Sequence, residues 1–389
     1  MNAAADPCAP ARGESKSAVL PSAVDFDRPV VSILGLPFDA IGIDEAVQRI
    51  RDAAFEGRRC FVSTPNLNFA IAAQSDPAFR GSVLRSDLSL LDGMPLVWVA
   101  RLLGLPVHGR VSGSDVFDAL QRHPDPPLQV FLFGGPPGAA ARAAESIDRR
   151  GGGLRCVGFD PAGFDSIEAM SGPGQIERIN RSGAHFVVVA LGARKGQAWI
   201  EHNAGRLAAP VLAHLGAVIN FAAGTVRRAP PWMQWTGFEW LWRIREEPAL
   251  WRRYWSDGVA AMRLLATRIA PDAIDRRWPR RQSDAPAALE VLPASGRVTL
   301  RLRGDWSDGR EAPLRTALQQ WASRCDRVVV DLQGVGALGH AGVGLLLLAQ
   351  GWFGARGGLE IVGTSARLRA ALRRQLVERV FLQESEERP

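Results

Sequence analysis

Ala184-His185-Phe186-Val187-Val188-Val189-Ala190-Leu191-Gly192 is the stretch on which the fold turns. From Phe186 onward it is apolar on both alternating faces, β-branched at its centre, and stopped by a glycine. A strand with one wet face alternates apolar and polar residues. A continuous apolar run of this length is a strand covered on both faces, as in a parallel sheet. Similar runs lie on either side: VVSILGL (30–36), CFVST (60–64), LSLLD (88–92), QVFLFG (129–134), LRCVGF (154–159) and PVLAHLG (210–216). Amphipathic stretches separate them, among them Ile43–Ala54, Pro77–Leu84, Gly138–Arg149 and Gln175–Asn180. Strands alternating with helices predict an α/β, Rossmann-like parallel-sheet core.

Outward from the core the character changes. Residues 1–28 are Ala/Pro/Ser/Asp-rich and aperiodic, and are expected to form a flexible tail. The core is expected over 29–226, a helical appendage over 227–269, and a Pro/Arg-rich linker over 270–287. From 288 to 385 a second, small α/β domain follows. LEVLPASGRVTLRLRG reads as a hairpin, RVVVDL (327–332) and LEIVG (359–363) as strands. Arg310–Ser323, Gly342–Trp352 and Ser365–Arg374 read as helices. At 389 residues and 47% hydrophobic, the chain has ample material for such cores. No window approaches the roughly 20 apolar residues of a membrane span. The N-terminus lacks the apolar region of a signal peptide, so a cytoplasmic location is expected. Cys8, Cys60, Cys156 and Cys325 are scattered, which argues against a disulfide framework or a zinc site. No metal and no cofactor is expected.

The net charge of +7 is local. Lysine occurs only at 16 and 195, so the cations are almost all arginine. Between 227 and 281 stand twelve Arg against six acids, a surplus close to the whole net charge. Six of the twelve Trp lie between 232 and 255. Arg and Trp at helical spacing suit a lipid–water interface, where indole sits in the headgroup belt and guanidinium meets phosphate. Alternatively the Trp pack on the core. A basic pI alone is a weak sign of nucleic acid, no nucleic-acid motif accompanies it, and no nucleic-acid partner is expected.

In an open parallel sheet ligands bind beyond the carboxyl ends of the strands. Thr64 and Asn66 follow the second run and either cap a helix or hold a ligand. Asp92, followed by Gly93, ends the third and reads as a general base or as a helix cap. Arg110 stands beside a Gly-rich turn, Val111–Asp115, suited to a phosphate or carboxylate. Gly134 and Gly135 open a turn whose N–H groups can face an anion. Arg194, Lys195 and Gln197 follow the sixth run, where cations suit a diphosphate or form a solvated helix start.

Taken in order, Thr64-Pro65-Asn66, Asp92-Gly93, Arg110-x-x-Gly113-x-Asp115, Gly134-Gly135, Gly192-x-x-Lys195-x-Gln197, Arg228-Ala229-Pro230 with Gly237-x-Glu239-Trp240 and Glu247-Pro248 resemble the WecG/TagA/CpsF glycosyltransferase family, over about residues 30–256. The resemblance implies metal-independent, inverting transfer of a sugar from a UDP-sugar to an undecaprenyl-diphosphate-linked saccharide, at the inner face of the cell membrane. Exopolysaccharide or cell-surface polysaccharide synthesis is the implied setting. Asp92 matches the general base and Thr64 and Asn66 the pair lining the site. Arg110 matches the Arg that meets acceptor or donor diphosphate. Arg228, Arg243 and Arg252 or Arg253 fall in the appendage that reaches the membrane and completes the site. The family usually carries Gln-Glu where this chain has Gly196-Gln197, and an acid where it has Asn220.

The second domain resembles a STAS domain through Val328–Val335, Gly339–Leu345 and Gly357–Gly363. The usual Asp-Ser-Ser-Gly loop reads Gly339-His340-Ala341-Gly342, so the phosphorylated Ser is absent. A non-phosphorylatable module that docks a protein partner is expected. Two readings of the whole chain follow: an active membrane-associated transferase, or a degenerate transferase acting as a regulatory scaffold through its STAS-like domain.

Overall fold

Six of the apolar runs pair side by side as parallel strands. In the computed structural model, which describes residues 24–123, 125–163, 165–278 and 285–382, the strands in chain order are β1 (Val30–Ile33), β2 (Leu36–Asp39), β3 (Cys60–Ser63), β4 (Leu88–Ser89), β5 (Leu128–Gly134), β6 (Leu154–Asp160), β7 (Phe186–Ala190), β8 (Val211–His214), β9 (Ala288–Ala294), β10 (Arg297–Trp306), β11 (Arg327–Leu338) and β12 (Gly358–Val362). The described residues divide into two compact units. One comprises 40–98 and 107–260; the other comprises 24–39, 99–106, 261–278 and 285–382.

The first unit holds the parallel sheet in the order β4-β3-β8-β7-β5-β6. Every residue of Phe186–Ala190 is buried, because the sheet is covered on both faces. Phe186, Val188 and Ala190 point into a layer with the helices Ile43–Phe55, Gly113–Arg122 and Ala139–Arg150. Val187 and Val189 point the other way, onto Pro173–Arg181 and Ala193–Asn203. The period of two in the strand thus becomes two hydrophobic layers. Phe133 and Trp199 stack at 4.0 Å in the second. After β8 come the helix Val218–Ala222 and the Arg/Trp helices Pro231–Trp235, Glu239–Glu246 and Trp251–Leu264.

The second unit is built on a mixed four-stranded sheet, β12-β11-β10-β9, with β9 antiparallel and the others parallel. Its central helix, His340–Phe353, is buried except at Gln350. Cys325 is disulfide-bonded, which the scattered spacing did not lead us to expect.

Three expectations are corrected. The run 30–36 is no strand of the parallel sheet: it folds as the antiparallel hairpin β1–β2 within the second unit. Leu34 and Gly35 both take positive φ, 50° and 81°, and turn the chain back after four residues. The tail ends earlier than residue 28, since Phe26 is fully buried and Arg28 forms a buried ion pair with Asp39 at 2.6 Å; residues 1–23 lie outside the described residues. The linker is helical over Ala270–Arg277, and Asp272 in it is buried by partners described below; positions 279–284 lie outside the described residues.

Candidate active site

Three loops at the carboxyl edge of the sheet are stitched together by backbone hydrogen bonds. Leu90 N donates to Ser63 O (2.9 Å), Asp92 N to Pro65 O (3.1 Å), and Val111 N to Leu91 O (2.8 Å). Asp92 therefore stands between the Thr64–Asn66 loop and the Arg110–Ser112 loop. Gly93 beside it takes φ +94°, a backbone that favours glycine. Asn66 caps the helix Leu67–Ala72 by accepting from Phe69 N, so its cap reading holds. Thr64 is buried against the start of the helix Gly113–Arg122.

The Asp92 carboxyl is pushed up to about 7. Burial is the main cause and the neighbouring negative charge of Glu239 adds to it. Arg110 pulls the other way, Asp115 pushes up, and Arg228 pulls down.

Around it lies a charge network that the sequence reading named only in part. Arg110 pairs with Glu239 (2.7 Å) and Asp115 (2.9 Å). Arg228 pairs with Asp115 and Asp118, both at 2.6 Å. Gln234 Oε1 accepts from both arginines. Burial pushes Asp115 up, but Arg110, Arg228 and Ser112 outweigh it and hold the carboxyl below its usual range. Ser112 caps the helix Gly113–Arg122 and donates to Asp115. Asp115, Asp118, Gln234 and Glu239 were not among the candidates. The signal for Asp115 was present as a Ser-x-x-Asp helix start. A cavity of about 320 Å³ opens beside Arg228, lined also by Phe117, Asp118, Val218 and Phe221.

The remaining candidates go to different places. Arg243 pairs with Glu247 at 2.6 Å and lies over the Phe221 ring, as Arg228 does from a little farther off. Arg252 and Arg253 are exposed, over the rings of Trp251 and Tyr254, and take no part in the network. Lys195 reaches Asp165 O at 3.0 Å. Gly135 N is already used by Ala190 O, and a side chain at Gly134 would press on that same carbonyl. That turn joins β5 closely to β7, and Gly135 does not offer its N–H to an anion.

Gln197 is fully buried and donates to Ser63 Oγ at 2.8 Å, so its amide nitrogen is held against the sheet. Its neighbour Gly196 is packed under the His214 ring, into which any Cβ there would run. His214 accordingly fills the space of a longer side chain at 196.

The Arg/Trp segment leaves aromatic surface open. Trp235 is 74% and Trp255 71% exposed, and Trp98, Trp232, Trp240 and Trp251 are exposed too. Asn68 on the helix Leu67–Ala72 donates to both oxygens of Asp257 and ties the last of these helices to the core. Among the described residues, no helix is long and apolar enough to cross a membrane.

Residues 293–383 match the family model "Mlab, STAS domain". An anti-sigma factor antagonist from Mycobacterium paratuberculosis aligns with 26% of this chain and 88% of its own at 20% identity, with a TM-score of 0.24. Two N-acetylglucosaminyldiphosphoundecaprenol N-acetyl-beta-D-mannosaminyltransferases are similar in sequence. That of Bacillus spizizenii is 26% identical over 199 residues, covering 51% of this chain and 76% of the relative. That of Bacillus subtilis is 25% identical over 205 residues, covering 52% and 78%. Residues 31–273 match the model of the glycosyl transferase WecG/TagA/CpsF family, and with well over half the chain inside that match this protein belongs to the WecG/TagA/CpsF glycosyltransferases.

Proposed function

We propose that this protein moves a sugar from a UDP-sugar to a saccharide carried on a polyprenyl diphosphate, with Asp92 as general base. The observation that carries the reading is the setting of Asp92 at the sheet edge. A carboxyl with a pKa near 7 is about half ionised at neutral pH, and strong enough a base to take a proton from a hydroxyl as it attacks. The acceptor hydroxyl gives its proton to Asp92 while its oxygen bonds to the anomeric carbon. The bond from that carbon to the diphosphate breaks, and UDP leaves with the electron pair. One displacement inverts the configuration. Arg110 and Arg228 stand beside the base, where they can balance the diphosphate charge that grows on the leaving group.

The acceptor assignment draws on the two Bacillus relatives, whose names specify N-acetylglucosaminyldiphosphoundecaprenol. The exposed Trp of the Arg/Trp helices support docking at the cytoplasmic membrane face, where such an acceptor is held. Surface or exopolysaccharide synthesis is the setting this implies.

The test is UDP release from a panel of UDP-sugars with a polyprenyl-diphosphate saccharide. Activity should require the lipid acceptor and fall at least about a hundredfold in Asp92→Asn. Full turnover by that variant would remove Asp92 from the role.

A further inference from the structure

The second unit contains more than the STAS-like fold. Residues 26–39 and Ala270–Arg277, from the two ends of the transferase-family match, pack on the central helix His340–Phe353 and its neighbours. The β1 backbone crosses the helix at Gly344, where a Cβ would stand 3.2 Å from Val30 and Val31. Gly35 at the hairpin turn lies as closely on Leu376 O. Arg315 donates to the carbonyls of Phe26 and Arg28, and Gln319 accepts from Phe26 N.

His340, at the first turn of the helix, joins both segments. Its Nδ1 is 2.6 Å from Ser32 O in β1, and its Nε2 is 2.9 Å from Asp272 Oδ2 in Ala270–Arg277. The ring is 3% exposed. A carbonyl oxygen and a carboxylate oxygen only accept hydrogen bonds, and a neutral imidazole has one N–H to give. Asp272 also accepts from Arg374 at 3.3 Å, which favours its ionised form. The ring thus bridges oxygens of two segments that lie far apart in the chain.

We infer that the STAS-like module binds its own chain: residues 26–39 and 270–277 are the ligand of the helix His340–Phe353, and His340, engaged through both ring nitrogens, is the latch between them. The other charged groups at this end are compensated. Arg374 also pairs with Asp275, Asp308 with Arg276, and Arg28 with Asp39, and Asp308 accepts from Ala341 N. An outside protein reaches this end of the helix only by displacing the in-chain segments. The inference is independent of the transferase chemistry.

The test uses the full chain. Amide hydrogen exchange is compared in the wild type and in His340→Gln at one pH. In the variant, exchange protection of amides in 30–39 and 270–277 should fall together, by about tenfold for each 1.4 kcal/mol of latch lost, while β5 and β7 keep theirs. Gly344→Ser, which presses on β1, should loosen 30–39 more than 270–277. Protection of either segment that is unchanged in His340→Gln overturns the inference. If His340→Gln does not fold, Asp272→Asn takes its place with the same two outcomes.

Discussion

Arg110 and Glu239 face each other at 2.7 Å, Nη1 to Oε2, and this ion pair ties the loop after Asp92 to the helix Glu239–Glu246. The same Glu239 is the strongest negative charge acting on Asp92. One acid thus neutralises the arginine that lowers the base and also raises the base directly.

Glu239→Gln should therefore move the acid limb of the activity–pH profile downward. Asp92 works ionised, so wild-type activity should rise with pH through about 7. Removing Glu239's charge lets Asp92 ionise earlier, and the limb should shift toward acid by up to about one unit. A profile of kcat/KM for UDP release checks this, and an unmoved limb would show that Glu239 does not act on the base.

Arg228→Ala leaves Asp115 with Arg110 alone and Asp118 with no cation of the network. Both pairs are only partly buried, so the expected loss is modest, about 1–2 kcal/mol by urea unfolding. Asp115→Asn should cost more than Asp118→Asn, because Asp115 holds two arginines. Equal costs would contradict the arrangement.

Gly196→Ala should destabilise by about 1–3 kcal/mol, since its methyl group runs into His214. His214→Ala in the same chain should recover part of that loss, and a double-mutant cycle measures the coupling. Burial holds His214 below its usual pKa, so it stays neutral in the fold while the unfolded chain takes up a proton. Its share of stability is present above about pH 6.5 and is lost as the pH falls below that. A cycle with no coupling energy would break the link between the two positions.

Trp235→Ser with Trp255→Ser should leave thermal stability unchanged within about 0.5 kcal/mol, because both side chains are largely exposed. Binding to anionic phospholipid vesicles should weaken by tenfold or more if these rings enter the headgroup layer. Unchanged sedimentation with vesicles would take the membrane face away from this surface.

The parallel sheet was legible because Phe186–Ala190 and its neighbours carry their burial in their own composition. The loops after those strands were equally legible, since strand ends are where such a fold leaves backbone turns and polar side chains. Orientation was not. Gln197 and Lys195 stand two residues apart at a helix start, yet one turns under Ser63 and the other out to Asp165. Nor did residues 30–36 announce a hairpin, because an apolar run reads alike in either sheet until its turn is seen.

By itself the sequence determined what depends on local pattern: two α/β units, the order of strands and helices, a concentrated Arg/Trp segment, and a STAS-like loop without its serine. Only the tertiary structure decided which distant groups meet. Glu239 comes to Arg110 across 129 positions, and His340 to Ser32 and Asp272 across 308 and 68. Such pairings follow from how buried surfaces close on one another and from the need of each buried charge for a partner, and neither is written in the neighbours of a residue along the chain.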